Sequence, residues 1–140
     1  PEVIGRDEGS RSQEEMLDRT WLSPPGFPGW FLHVNHRSIG KRFIVTAFIF
    51  LILGGIEALI MRLQLSRPGN TLLSPDLYNQ FFTMHGTTMM FFFAVPVMEG
   101  FAIYLTPLMI GSRDMAFPRL NAFGYYVYLI AGVALYVSFF

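Results

Sequence analysis

The 140 residues are 52% hydrophobic and 14% charged, with ten Lys and Arg balanced by ten Asp and Glu. Apolar runs this long exceed what a soluble core of that size can bury, which places the chain among membrane proteins. A net charge of zero leaves no electrostatic footprint for nucleic acid, and with no Cys there is no disulfide, thiolate metal site or cysteine nucleophile. No GxxxxGK[ST], GxGxxG or HExxH motif occurs, so soluble nucleotide and protease chemistries are unsupported. Any metal must be held by His or carboxylate.

Residues 1–29 read as a polar, then Pro- and Gly-rich tail in which Pro24, Pro25 and Pro28 stop any helix. Its acidic, polar start is not a secretion signal. Residues 30–42 read as an interfacial segment, with Trp30 at headgroup depth and Arg37, Lys41 and Arg42 against the membrane surface. Its two histidines, with His33 near the start and His36 at the NHR tripeptide, read as anchoring and loop hydrogen-bonding groups. A first transmembrane helix is expected over 43–62, about one bilayer thickness, interrupted only by Gly54, Gly55 and Glu57. The two glycines allow close approach of a helix or a flat cofactor. Glu57, five residues before Arg62, is expected to reach the interface or an ion pair.

Pro68, Gly69 and Asn70 signal a turn. Ser74, Pro75 and Asp76 then open a second helix as N-cap, first-turn proline and acid at the positive dipole end. This helix, 74–110, is longer than a flat span needs, so it is expected to tilt or kink, with Pro96 at the kink. After a turn, a third span is expected over 122–140 and is still apolar at Phe140, which reads as an N-terminal portion of a larger polypeptide. Arg37, Lys41, Arg42, Arg113 and Arg119 fall on one side and Arg62 and Arg67 on the other, so the N-terminus is expected on the cytoplasmic or matrix side.

Ionisable residues inside a span are functional candidates by default, and the second helix carries His85 and Glu99. His85 lies roughly 15 Å into that helix and needs a haem iron, a metal or a hydrogen bond as partner. Gly86 leaves room for a flat ring, and the following TTMMFFF supplies thioethers and aromatics. A haem held by one His requires a second axial ligand from elsewhere. His85 and Glu99 differ by 14 positions, nearly a whole number of α-helical turns, so a regular helix puts them on one face. Asp114, beside Arg113, reads equally as a surface ion pair or a proton-active acid.

Four blocks, NHRSIG at 35–40, MRLQLSRPG at 61–69, MHGTTMMFFFAVP at 84–96 and PLMIGSRDMAFPRLNAF at 107–123, resemble subunit I of the haem-copper oxidases, cytochrome c oxidase in particular. The resemblance covers roughly residues 30–140. It implies an all-α, polytopic transmembrane helix bundle of which this chain supplies the first three helices. It also implies a terminal respiratory oxidase that reduces O2 to water with electrons from cytochrome c and pumps protons. His85 is similar to an axial ligand of the low-spin haem, a or b, whose other axial His lies on a later helix. Arg62 is similar to the arginine at that haem's periphery, where a charge-assisted hydrogen bond raises the reduction potential. Asp114 is similar to the acid at the mouth of a proton-uptake channel, and Asn121 to one of the asparagines lining it.

A second haem and the copper of the O2-reducing centre are implied on the rest of the subunit. Implied partners are oxidase subunits II and III, cytochrome c or quinol as donor, O2 and membrane lipid, in a bacterial inner (plasma) membrane or a mitochondrial inner membrane. The chain departs from the family at EGFAIY, where relatives carry a GGFGN-like stretch and Ile103 stands near a channel asparagine; Glu99 is expected to supply the missing polar group. Gln64 stands where mitochondrial relatives have a glutamate at a cation site, so no bound Ca²⁺ or Na⁺ is expected. The alternatives are a quinol oxidase or nitric oxide reductase of the same superfamily, or a haem-free scaffold or transporter fragment with His85 as a packing residue.

Overall fold

The computed structural model describes residues 13, 16 and 27–139. The chain divides into two units, Pro1–His33 and Val34–Phe140. In the first, a short helix, α1, spans Phe27–Leu32 with Pro28 in its first turn, where a missing N–H is tolerated, so Pro28 does not stop a helix as expected. Most of the expected tail over 1–29 lies outside the described residues.

The second unit is built from α2, His36–Gln64; α3, Pro75–Thr87; a π-helical segment, Thr88–Ala94; α4, Val95–Met109; and α5, Pro118–Ser138. Among the described residues there is no strand. Three continuous helices, His36–Gln64, Pro75–Met109 and Pro118–Ser138, are long and apolar enough to cross a membrane. The protein is therefore an all-α, multi-pass helical membrane protein.

Local chemistry sets the helix limits. Asn35 accepts the Arg37 N–H at 2.9 Å through its side chain, so α2 starts at His36, ahead of the apolar run that begins at Phe43. Ser74 caps α3 by accepting the Leu77 N–H, and Pro75 follows in the first turn. Pro118 likewise opens α5 ahead of Ala122. Gly111, at φ 70°, closes α4: Ser112 N–H donates to Pro107 O at 2.9 Å and Gly111 N–H to Leu108 O at 3.4 Å, a Schellman ending. Between α2 and α3 the Gln64 amide clamps the turn, donating to Asn70 O at 2.7 Å and accepting from Leu73 N–H at 2.8 Å.

Close approach at glycine fixes how the spans cross. A Cβ on Gly100 would lie 2.9 Å from side-chain atoms of Phe43 and Ile44, and one on Gly40 would lie 2.9 Å from Gly100 O. One on Gly54 would lie 2.9 Å from Met89 Sδ, so the expected close helix contact is made there, whereas Gly55 meets nothing within 4 Å. On α5, Gly132 receives the Phe50 ring, which an added Cβ would overlap. Ile39, Phe43, Ile103 and Tyr125 form the buried core. Phe43 meets Tyr125 edge-on at 5.4 Å and stacks on Tyr128 at 5.5 Å, offset geometries favoured by the ring quadrupoles.

The irregularity in the second span has two causes in sequence. Val95 N–H reaches back to Met90 O, an i→i+5 bond, and Pro96 has no N–H to offer the Phe92 carbonyl one turn earlier. Tyr128 Oη donates to that carbonyl at 2.7 Å instead. Tyr125 pairs with Thr46 at 3.0 Å and Tyr136 with Thr88 at 3.2 Å, so α5 ties itself to both other spans through tyrosine hydroxyls. Tyr128→Phe is expected to leave the Phe92 carbonyl without its donor and to destabilise the bundle by about 1 kcal/mol, the order found for interhelical hydrogen bonds in membranes. Thermal unfolding in detergent checks this; an unchanged midpoint would mean that the carbonyl finds another donor.

Candidate functional site

His85 comes from α3, the turn before the π-helical segment, and is half buried. Its Nδ1 lies 2.9 Å from Gly54 O on α2. A carbonyl only accepts, so Nδ1 carries the proton, and in the neutral imidazole Nε2 keeps its lone pair. The close approach at Gly54, enforced by Thr88 and Met89, brings that carbonyl within reach. An imidazole whose Nδ1–H is fixed by a backbone carbonyl is in the tautomer and orientation of a metal ligand. Gly86, beside it, has open space where a Cβ would be. Among the described residues no group of three or more His, Asp or Glu converges on a metal. The donor on hand is one imidazole, which suits an axial position on a haem.

One turn beyond Gly54, Glu57 is only 7% exposed, against the expectation that it reaches the interface or an ion pair. Its carboxyl lies beside the Tyr136 hydroxyl and within electrostatic reach of His85. Its Oε2 is buried with no hydrogen-bond partner. Position along one span could not show this, because its neighbours Tyr136 and His85 come from other helices.

At the other end of α2, Asp114 pairs with His36 rather than forming the surface pair with Arg113 read as one alternative from sequence. Asp114 Oδ1 lies 3.1 Å from His36 Nδ1 and accepts the backbone N–H groups of His36 at 3.1 Å and Met115 at 2.8 Å. His36 is 3% exposed while the Asp114 side chain is 37% exposed, so the acid faces solvent with a buried imidazole behind it. Arg42, expected against the membrane surface, is instead 1% exposed, with its guanidinium turned in to 5.9 Å from the centre of the Tyr125 ring.

The other candidates are more dispersed. Arg62 is exposed in the last turn of α2, about 12 Å along the axis from Gly54. Asn121 is half buried in the first turn of α5. Glu99 is exposed on α4, within electrostatic reach of Tyr128. The π-helical segment between His85 and Glu99 holds more residues per turn than an α-helix, so a spacing of 14 no longer returns to one face. Gly54 as acceptor and three of the four α5 tyrosines, Tyr125, Tyr128 and Tyr136, escaped the sequence reading, which marked His36 as hydrogen bonding but not Asp114 as its partner.

These features define a multi-pass helical membrane protein whose apolar interior holds an oriented imidazole. The family described as "Cytochrome C and Quinol oxidase polypeptide I" matches residues 38–140, and the chain belongs to it. It is 50% identical over 136 residues to "Cytochrome c oxidase subunit 1" of Thermostichus vulcanus, covering 91% of this chain and 25% of that protein. To "Probable cytochrome c oxidase subunit 1-alpha" of Streptomyces coelicolor it is 49% identical over 132 residues, 91% of this chain and 23% of that one. A "Heme-copper oxidase subunit I+III" of Aeropyrum pernix is 44% identical over 111 residues, 79% of this chain and 14% of that protein. The chain thus spans about a quarter or less of the length of these relatives.

Proposed function

We propose that this chain is part of the catalytic subunit of a proton-pumping terminal oxidase that reduces O2 to water with electrons from cytochrome c. The observation that carries the reading is the His85 Nδ1 to Gly54 O contact at 2.9 Å, which leaves Nε2 for a low-spin haem iron. When bound, that haem supplies one-electron transfer. His85 Nε2 would hold the iron, and the Arg62 guanidinium would favour the electron-richer state by donating to the haem. The second axial ligand, the second haem and copper belong to other parts of the subunit.

Asp114 collects protons from the cytoplasmic or matrix side, with His36 as the buried imidazole behind it and Asn121 further along the path. The observation supporting this is an acid that keeps one face in solvent while its oxygen accepts from a buried histidine. Glu99, an exposed carboxylate within a span, turns toward the remainder of the bundle and carries protons there. Glu99→Gln is expected to lower protons pumped per electron; pumping unchanged in reconstituted vesicles would make Glu99 a structural hydrogen-bonding group. Subunits II and III and membrane lipid complete the assembly in a bacterial plasma or mitochondrial inner membrane.

The test is a reduced-minus-oxidised visible spectrum of the full-length complex together with O2 consumption driven by reduced cytochrome c. A low-spin haem band and cytochrome-dependent turnover are expected. Turnover with quinol alone would change the donor, and purified protein without iron would favour a haem-free scaffold.

A further inference from the structure

We propose that Glu57 is a proton-binding group coupled to the electron on the haem at His85, separate from the uptake path that begins at Asp114. The inference rests on reading His85 as the axial ligand. Glu57 is 7% exposed and its Oε2 is buried without a hydrogen-bond partner. The titratable groups facing it are Tyr136 from α5 and His85 from α3, while the π-helical segment contributes the uncharged Thr88. Among the described residues no salt bridge neutralises it. A carboxylate held in an apolar interior without a counter-charge responds strongly to any charge that arrives nearby.

Reduction of a haem held by His85 would add a unit of negative charge there. One electron from a one-electron donor converts ferric to ferrous iron, and one proton from bulk water converts the Glu57 carboxylate to the acid. Oxidation reverses both, so the local charge is conserved at each stage.

The neighbouring hydroxyls suit both forms. Tyr136 Oη and Thr88 Oγ1 lie 3.2 Å apart, and either can be the donor. Tyr136 can therefore donate to the carboxylate or, by rotating toward Thr88, accept from the acid. A purely structural contact to Tyr136 would be served equally by glutamine, which cannot take up a proton.

The test is a spectroelectrochemical titration of the low-spin haem band in the full-length complex at several pH values. The wild-type potential is expected to fall as pH rises, by up to about 59 mV per unit, the one-electron equivalent of a tenfold change. Glu57→Gln should keep the band and flatten the slope; Glu57→Asp should keep both. A wild-type slope surviving in Glu57→Gln overturns the proposal. If Glu57→Gln does not assemble, the reduced-minus-oxidised infrared spectrum decides: a protonated-carboxyl band that shifts in Glu57→Asp supports the coupling, and one that does not shift, or its absence from wild type, overturns it. Retention of the low-spin band in His85→Ala would overturn the axial assignment instead, so the two failures are distinguishable.

Discussion

The full-length subunit carrying His85→Ala is expected to lose the low-spin haem band from its reduced-minus-oxidised spectrum while keeping its helices. The side chain has one contact in the structure and one proposed use, and they differ in cost. Its Nδ1–H bonds Gly54 O at 2.9 Å, but Gly54 lies within α2, where the N–H one turn ahead is that carbonyl's ordinary donor. Losing the second donor costs about 1 kcal/mol. The crossing of α2 with the second span is held independently by Gly54 against Thr88 and Met89 of the π-helical segment and by Gly40 against Gly100 of α4. The proposed use, an Nε2 lone pair available to iron, has no substitute in alanine. Haem loss with unchanged helical circular dichroism is therefore the expected pattern. A haem band of wild-type amplitude would reduce His85 to a packing residue and remove the observation on which the function rests.

What could be read from the sequence follows from the range of the interactions involved. Ser74 and Pro75, the turn at Gly69 and the apolar lengths are local signals, and each corresponds to a helix start, a turn or a span in the structure. His85 was visible because an imidazole in an apolar run is conspicuous, and Gly54 because small residues mark helix crossings. The π-helical turn was not visible: periodicity analysis assumes 3.6 residues per turn, and seven residues at Thr88–Ala94 violate that assumption. Glu99 was consequently placed on the His85 face. Glu57 was read by depth along one helix, whereas its partner Tyr136 arrives from another. The His36–Asp114 pair joins residues 78 positions apart and exists only once α2 and the turn after α4 are assembled.

Asp114→Asn is expected to leave the bundle folded and the haem spectrum normal while turnover falls by about tenfold or more, a conservative share of what a positioned proton-transfer group contributes. The separation follows from what Asp114 Oδ1 does. It accepts the His36 backbone N–H, a first-turn donor of α2 with no partner inside the helix, and the Met115 N–H. An amide oxygen can accept both of these bonds, so asparagine preserves the clamp between α2 and the turn after α4. It cannot take a proton from solvent and pass it on, and it loses the charge that strengthens the bond to His36 Nδ1. Asp114→Ala removes the acceptor altogether, leaves both N–H groups unpaired, and should further destabilise the bundle by about 1–3 kcal/mol. Comparing the two variants in stopped-flow proton uptake and thermal unfolding divides proton delivery from structure. Wild-type proton uptake in Asp114→Asn would make the residue a structural clamp for the start of α2, with the entry path elsewhere.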